Sequence, residues 1–368
     1  MNLMVLRPGI RTLGYAGFVS GHSMSIAHGR LEDYRGIGED NEASEWALHQ
    51  AFTRCAEAAG GEAPNALAVR APFGGEEFSG PVLVTDDILE RMNLLAPHAP
   101  LHQPGIVNLL RAARRIFPRL PIAVVFDTSF FTALPPREHR YAVDAQSLGC
   151  GDLRRFGYHG LYHEAACRFA SARTDTAGPA QGPFRAISIC LEPRPELAAV
   201  ISGKPVMVTS GVTPLEGLPG ERICGEIDPS IVLILSEKLG WGPEQINEAL
   251  TRRSGVSGVA GRHVRLGRLL ESSDPDLQFA RDLLRYRILL ACGMGVAAMG
   301  GLEKIVFSGR YAQSGRSLGP WLISRLGAAR DPKAAPAPAW TCFSEPLDRI
   351  IADIAWAKIT QSKSAAVA

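Results

Sequence analysis

Ile122-Ala123-Val124-Val125-Phe126-Asp127-Thr128-Ser129-Phe130 decides the fold. An unbroken apolar run reads as a strand buried on both faces, and this one delivers an acidic residue to its end. Further on, Arg155-Phe156-Gly157-Tyr158-His159-Gly160-Leu161-Tyr162-His163 brings two histidines, four positions apart, into the start of a helix. Strand ends and helix starts are where α/β proteins gather their chemistry, because backbone N–H groups and side chains converge there.

Working outward, Met1 to Val19 reads as a strand, a turn at Pro8-Gly9 and a second strand. Asn41 to Gly60 has helical periodicity through Trp46, Leu48, Phe52 and Cys55. Ala66 to Ala71 is a short strand running into the turn-forming Pro72-Phe73-Gly74-Gly75. Asp86 to Asn93 is a helix with Asp86 or Asp87 near its cap, and Gly105 to Phe117 is another with an arginine-rich outer face. The pattern then restarts. Phe184 to Leu191 and Leu197 to Ser202 are strands, with a hairpin turn at Gly203-Lys204-Pro205. Pro229 to Leu239, Pro243 to Arg252 and Asp276 to Met299 are helices, and Lys304 to Ser308 is a buried strand ending at Gly309. The low-complexity run Ala334 to Pro338 reads as a surface linker before a final helix, Leu347 to Ile359. The expectation is α/β: residues 1–148, joined by about 346–368, form one domain and 149–345 a second of similar plan, with a cleft between.

Composition excludes several classes. The 368 residues carry a formal net charge of only +2, with 46% hydrophobic and 21% charged residues. A dedicated nucleic-acid binder would show a strongly basic face. The longest apolar stretch, around Ile288 to Gly300, is too short to span a membrane and reads as a buried helix. Met1 to Leu6 lacks a long apolar region and a cleavage site, which points away from secretion. Cysteines 55, 150, 167, 190, 224, 292 and 342 show no paired spacing, as expected of a reduced cytoplasm, and no Cys-x-x-Cys suggests zinc.

In order and spacing these segments resemble the acetate/propionate kinase (acetokinase) family. Further blocks carry the resemblance: Ala99-Pro100-Leu101-His102-Gln103-Pro104, Thr213-Pro214-Leu215-Glu216-Gly217-Leu218 followed by Asp228-Pro229, and Ser254-Gly255 with Gly258 to Gly261. Tyr286-Arg287 and Gly300-Gly301 to Val306-Phe307 fit as well. The resemblance implies the two-domain actin-like ATPase (sugar-kinase superfamily) fold, acetate-kinase branch, and phosphoryl transfer from ATP·Mg²⁺ to a short-chain carboxylate. Two anions must then meet, so the chemistry needs cationic donors and in-line geometry. By resemblance Arg70 matches the arginine that holds the carboxylate or phosphoryl group, Asp127 the catalytic acidic residue, and His159 the histidine that stabilises the transition state. Leu101, Tyr158 and Pro214 match the acyl pocket, with Pro72 where the family has a valine, and Glu345 matches a magnesium ligand. Arg222, Gly258, Gly309 and Arg310 fall on the nucleotide side. A homodimer is also implied. Taken singly, Arg70 reads rather as a surface ion pair, Asp127 as a turn cap and His159 with His163 as core histidines; taken together and in family order they read as a site.

The nucleotide side departs from the pattern. The family's opening Asn-x-Gly-Ser-Ser-Ser reads Arg7-Pro8-Gly9-Ile10-Arg11-Thr12 here, and its glycine phosphate loop reads Cys190-Leu191-Glu192-Pro193-Arg194. Proline has no N–H to offer a phosphate, and Glu192 repels one. A second nucleotide loop matches Arg310-Tyr311-Ala312-Gln313-Ser314, an adenosine-side aspartate falls at Arg265, and a second catalytic arginine aligns with Ile223, one past Arg222. Arg7, Arg194, Arg265 and Arg310 are expected to fill nucleotide space and to pair with Glu192 and Glu196, or to form a compact polyanion site. Two functions stay open: a carboxylate kinase using ATP or another phosphoryl donor, and a non-catalytic paralogue that binds a small carboxylate or acyl phosphate and acts through a partner.

Overall fold

The computed structural model describes residues 2–32, 34, 41–144, 146–147, 149, 153–172, 183–327 and 338–367. Residues 334–337 of the expected linker lie outside them. The chain divides into two compact units, Met1–Thr132 with Pro346–Ala368, and Ala133–Glu345.

Unit 1 is built on β1 (Asn2–Pro8), β2 (Leu13–Val19), β3 (Ala27–Leu31), α1 (Asn41–Ala58), β4 (Ala66–Ala71), β5 (Val82–Leu83), α2 (Asp86–Leu94), α3 (Gln103–Ile116) and β6 (Ile122–Phe126). Its six-stranded sheet runs β3-β2-β1-β4-β6-β5. The first three strands are an antiparallel meander, β4 and β6 add in parallel, and β5 closes the edge antiparallel. Every residue of β6 is buried, as its apolar run requires. Burying each Val, Ile or Phe of such a strand stabilises by roughly 1.5–3 kcal/mol. The cap of α2 is Thr85, whose hydroxyl accepts the Ile88 N–H, and not Asp86 or Asp87. Those two carboxylates sit instead in the first turn, where the helix dipole favours them. A C-terminal helix, Leu347–Val367, returns to unit 1 and sets Ile350, Ile351, Ala355 and Ile359 into buried positions.

Unit 2 comprises α4 (Pro136–His139), α5 (Gly160–Ala172), β7 (Arg185–Cys190), β8 (Glu196–Ile201), β9 (Lys204–Val208), α6 (Ser230–Leu239), α7 (Pro243–Arg252), α8 (Gly255–Val259), α9 (Leu266–Glu271), α10 (Gln278–Met299), β10 (Lys304–Ser308), α11 (Gly315–Gly327) and β11 (Ala339–Cys342). Its sheet runs β11-β10-β7-β8-β9. Again a meander of three antiparallel strands is followed by two parallel ones, so the plan of unit 1 is repeated. The β8–β9 turn falls at Ser202 (φ 47°) and Gly203 (φ 81°), not at Gly203-Lys204-Pro205. Two successive left-handed residues make the primed turn that suits hairpin twist. Lys204 and Pro205 therefore begin β9, an edge strand that tolerates proline.

Candidate functional site

In unit 1 the site is made by two neighbouring parallel strands ending together. Arg70, next to last in β4, pairs in register with Val125 of β6, and Asp127 follows β6 with its N–H donating to Ala71 O (3.0 Å). Arg70 Nε donates to Asp127 Oδ1 at 2.9 Å, and its Nη2 donates to Oδ2. This is the planar fork gripping a carboxylate. Asp127 is buried, while the Arg70 side chain is 23% exposed and so reaches the surface. The loop after β4 is pinned from below: Gly74 N–H donates to the Thr128 hydroxyl (2.9 Å). Only glycine fits at Gly74, because a Cβ there would come within 2.8 Å of the Phe126 ring. Pro72 is half-buried in this loop. Leu101 is 57% exposed on the turn leading into α3. Arg7 pairs with Asp348 inside unit 1.

In unit 2, His159 stands immediately before α5, half-buried, with Nε2 3.0 Å from Arg194 O. The anchor beneath it is Glu196, the first residue of β8 and 1% exposed. Its carboxylate accepts the N–H of Tyr158 (2.9 Å) and of His159 (2.8 Å), and lies 3.2 Å from His163 Nε2. Across the ring, His163 Nδ1 is 2.8 Å from Ser188 Oγ. Ser188, His163 and Glu196 thus line up as a hydroxyl, an imidazole and a carboxylate, but all three are sealed from solvent and act as a structural network. Burial opposes the charge on Glu196, yet the His163 contact, the nearby His159 and a Ser210 hydrogen bond outweigh it and hold the carboxyl down at about 2. Burial lowers His163 below the ordinary imidazole value despite the pull of Glu196. An ionised Glu196 therefore faces a neutral His163. The expected pairing of Glu196 with an arginine is replaced by this contact.

Tyr158 donates its hydroxyl to Val212 O, two residues before Pro214, so these two acyl-pocket candidates lie on adjoining segments. Burial, with Glu196 and Tyr141 nearby, raises the Tyr158 phenol above its usual value and keeps it neutral. Glu216 of the same loop is held by Arg155 Nη2 (2.6 Å) and by the Tyr141 hydroxyl.

The nucleotide-side candidates are linked within unit 2: the Glu221 N–H, beside Arg222, donates to Pro193 O (2.8 Å), the Ser257 N–H, beside Gly258, donates to Glu221 O (3.0 Å), and the Tyr311 hydroxyl donates to Glu221 Oε1 (2.8 Å). Arg310 does meet Glu192, whose Oε1 accepts the Arg310 N–H at 2.8 Å. Gly309 (φ +84°) follows β10, and a Cβ on it would lie 2.9 Å from Leu191 O. Arg222 and Arg265 are exposed, and Ile223 is buried. Gly258 lines a cavity of about 370 Å³ with Arg253, Arg287, Glu226 and Cys224. Glu345 is exposed, and among the described residues no group of three or more His, Cys, Asp or Glu side chains gathers to hold a metal. Mg²⁺ in phosphoryl transfer is held by one or two carboxylates together with substrate phosphates. The loops that would hold those phosphates carry Glu192 and two prolines, so the residues present do not fit Mg²⁺-ATP.

Sequence reasoning missed Glu196 as the anchor of the histidine segment. The available signal was a lone acidic residue opening an otherwise apolar run, Glu196-Leu197-Ala198-Ala199-Val200.

The acetokinase family profile matches residues 39–327. The acetate kinase of Pseudarthrobacter chlorophenolicus is 34% identical over 284 residues, 77% of this chain and 72% of that protein. The acetate kinase of Thermosipho africanus is 34% identical over 249 residues, 66% of this chain and 60% of that protein. Porphyromonas gingivalis acetate kinase superposes with a TM-score of 0.81 at 23% identity, covering 97% of this chain and 99% of its own. A propionate kinase from Francisella tularensis matches with the same TM-score, identity and coverage. With the duplicated sheet plan, these structures establish the actin-like ATPase fold of the acetate-kinase branch.

Proposed function

The chain belongs to the acetokinase family, and from that premise we propose that it acts on a short-chain carboxylate and its acyl phosphate, as a phosphotransferase of the acetate/propionate kinase type. The observation that carries this reading is the Arg70–Asp127 fork at the ends of β4 and β6. Asp127 fixes the guanidinium in one orientation, and the partly exposed Arg70 is the cation proposed to meet an incoming anion. A carboxylate oxygen attacking phosphorus, or an acyl phosphate leaving, develops charge that such a donor stabilises. On unit 2, His159, held by Glu196 through its own N–H and 3.0 Å from Arg194 O through its ring, is proposed as a further donor, with Tyr158 and Pro214 on adjoining segments.

A second reading, a non-catalytic binder of a carboxylate or acyl phosphate acting through a partner, is favoured by the Glu192–Arg310 contact on the donor side. A homodimer belongs to the proposal as well. All of α6 lies outside the core, with Ile231, Val232, Leu233, Ile234 and Leu239 exposed, and Phe279, Tyr286, Leu290 and Met294 stand out along α10. Apolar surface of this extent marks an interaction face. No helix among the described residues is long and apolar enough to cross a membrane, and the cytoplasm is the proposed location.

An acyl-hydroxamate assay with acetate and propionate tests the reading, with ATP·Mg²⁺ and then pyrophosphate as donor. Turnover lost in both Arg70→Ala and Asp127→Ala supports the phosphotransferase. Absence of turnover with every donor, together with calorimetric binding of acetyl phosphate, selects the binder.

A further inference from the structure

Where parallel strands end side by side, an α/β sheet ordinarily meets its anionic ligand, because backbone N–H groups are left pointing into the crevice. At the ends of β7 and β10 five of those groups have partners within the chain. Leu191 N–H donates to Ser308 O (2.8 Å) and Tyr311 N–H to Leu191 O (2.9 Å). Ala312 N–H donates to Gly309 O (3.1 Å) and Ser314 N–H to Tyr311 O (3.0 Å). Pro193 and Pro195 have no N–H. The Arg310 N–H, which opens the second loop, donates to the carboxylate of Glu192 in the first. Both loops are thus laced to each other.

Space follows the same pattern. Gly309 touches Leu191 so closely that no Cβ fits between them. Tyr311 lies against Gly267 at the start of α9, where a Cβ would approach its ring to 2.8 Å, and its hydroxyl donates to Glu221 Oε1 (2.8 Å). The Glu192 side chain is 15% exposed, and its other oxygen lies 3.7 Å from Arg310 Nε. A carboxylate therefore occupies the amide that a phosphate oxygen would need, and places negative charge where a triphosphate would bring more.

We infer that Glu192 is the chain's own anion at this crevice and that it bars nucleoside triphosphates. The small carboxylate or its acyl phosphate is then the ligand class the chain takes. This deepens the proposed function and rests on it for the identity of the ligand, whereas the exclusion of nucleotide stands on unit 2 alone.

The test is isothermal titration calorimetry on the full chain, with MgATP and separately with acetyl phosphate, on wild type, Glu192→Gly and Glu192→Gln. Wild type is expected to bind MgATP more weakly than about 1 mM. Glu192→Gly, which frees the Arg310 amide, is expected to bind MgATP at least about tenfold more tightly. Glu192→Gln keeps an acceptor for that amide, and with it the loop's shape, but loses the charge; a smaller gain of the same sign is expected. Acetyl phosphate affinity is expected to be equal in all three. Micromolar MgATP binding by wild type overturns the inference. So does the absence of any gain in both variants when their melting temperatures match wild type. Failure of all three proteins to bind acetyl phosphate refutes the carboxylate reading instead, and leaves the nucleotide comparison to be judged by itself.

Discussion

Glu196→Ala is the perturbation with the largest consequence that the structure allows to be worked out. It removes the acceptor shared by the Tyr158 and His159 N–H groups and the partner of His163, in surroundings where Glu196 is 1% exposed. Each donor left unmatched costs about 1–3 kcal/mol, and because His163 is neutral no buried charge is left behind. Water entering the space offsets part of the sum, so a loss of about 2–5 kcal/mol is expected.

The sign with pH follows. Because the folded carboxyl lies below its unfolded value, its contribution is whole above pH 4.5 and is lost as pH falls toward 2. His163, lowered from 6.5 by burial, acts in the same direction: below pH 6.5 the unfolded chain takes up a proton that the fold resists. Urea unfolding followed by tryptophan fluorescence at several pH values between neutrality and pH 2 reads both effects. Glu196→Ala should unfold at markedly lower urea than wild type at neutral pH. Glu196→Gln should lose less stability than wild type over the acid range. A Glu196→Ala midpoint equal to that of wild type refutes the assignment, and an unchanged acid limb in Glu196→Gln refutes the pH argument.

Three further outcomes are expected. Arg70→Lys keeps the charge but not the fork on Asp127, so acyl-hydroxamate turnover should fall roughly several hundredfold with little change in melting temperature. Gly309→Ala sets a Cβ against Leu191 O at a φ of +84°, and thermal unfolding should show a loss of about 1–3 kcal/mol. Leu233→Asp with Ile234→Asp places charge on the exposed face of α6; sedimentation velocity should show the dimer replaced by monomer, and an unchanged sedimentation coefficient would remove α6 from the interface.

The fold was legible wherever one kind of side chain decided the local structure. The run Ile122 to Phe126 is buried from end to end, and Ala66 to Ala71, Lys304 to Ser308 and Pro243 to Arg252 have the bounds their patterns predict. Edge strands were harder. β9 opens Lys204-Pro205 and lacks the alternation of a half-buried strand, whereas β3 alternates in burial but is only five residues long and carries His28, Gly29 and Arg30. At the site, sequence alone pointed to Arg70 and Asp127, and strand pairing supplied their contact. Glu196 was not legible because the donors to its carboxylate are backbone amides thirty-seven and thirty-eight positions away, which only the docking of α5 beside β7 brings near. Glu192 was legible in charge and Arg310 among its expected partners, but the donor was not: the hydrogen bond comes from the main-chain N–H of Arg310, which carries no residue signature.

The return of the last helix to unit 1 orders events on the ribosome. Leu347–Val367 packs on β1, β4 and β6, so unit 1 waits for a helix that is translated after unit 2. At about 5–20 residues per second, the roughly two hundred residues between occupy some tens of seconds. Throughout that interval the apolar back of the first sheet has no cover of its own chain, whereas the second unit is contiguous and can close as soon as β11 has left the exit tunnel. Nascent molecules of this protein are therefore most vulnerable to aggregation on the half that was made first.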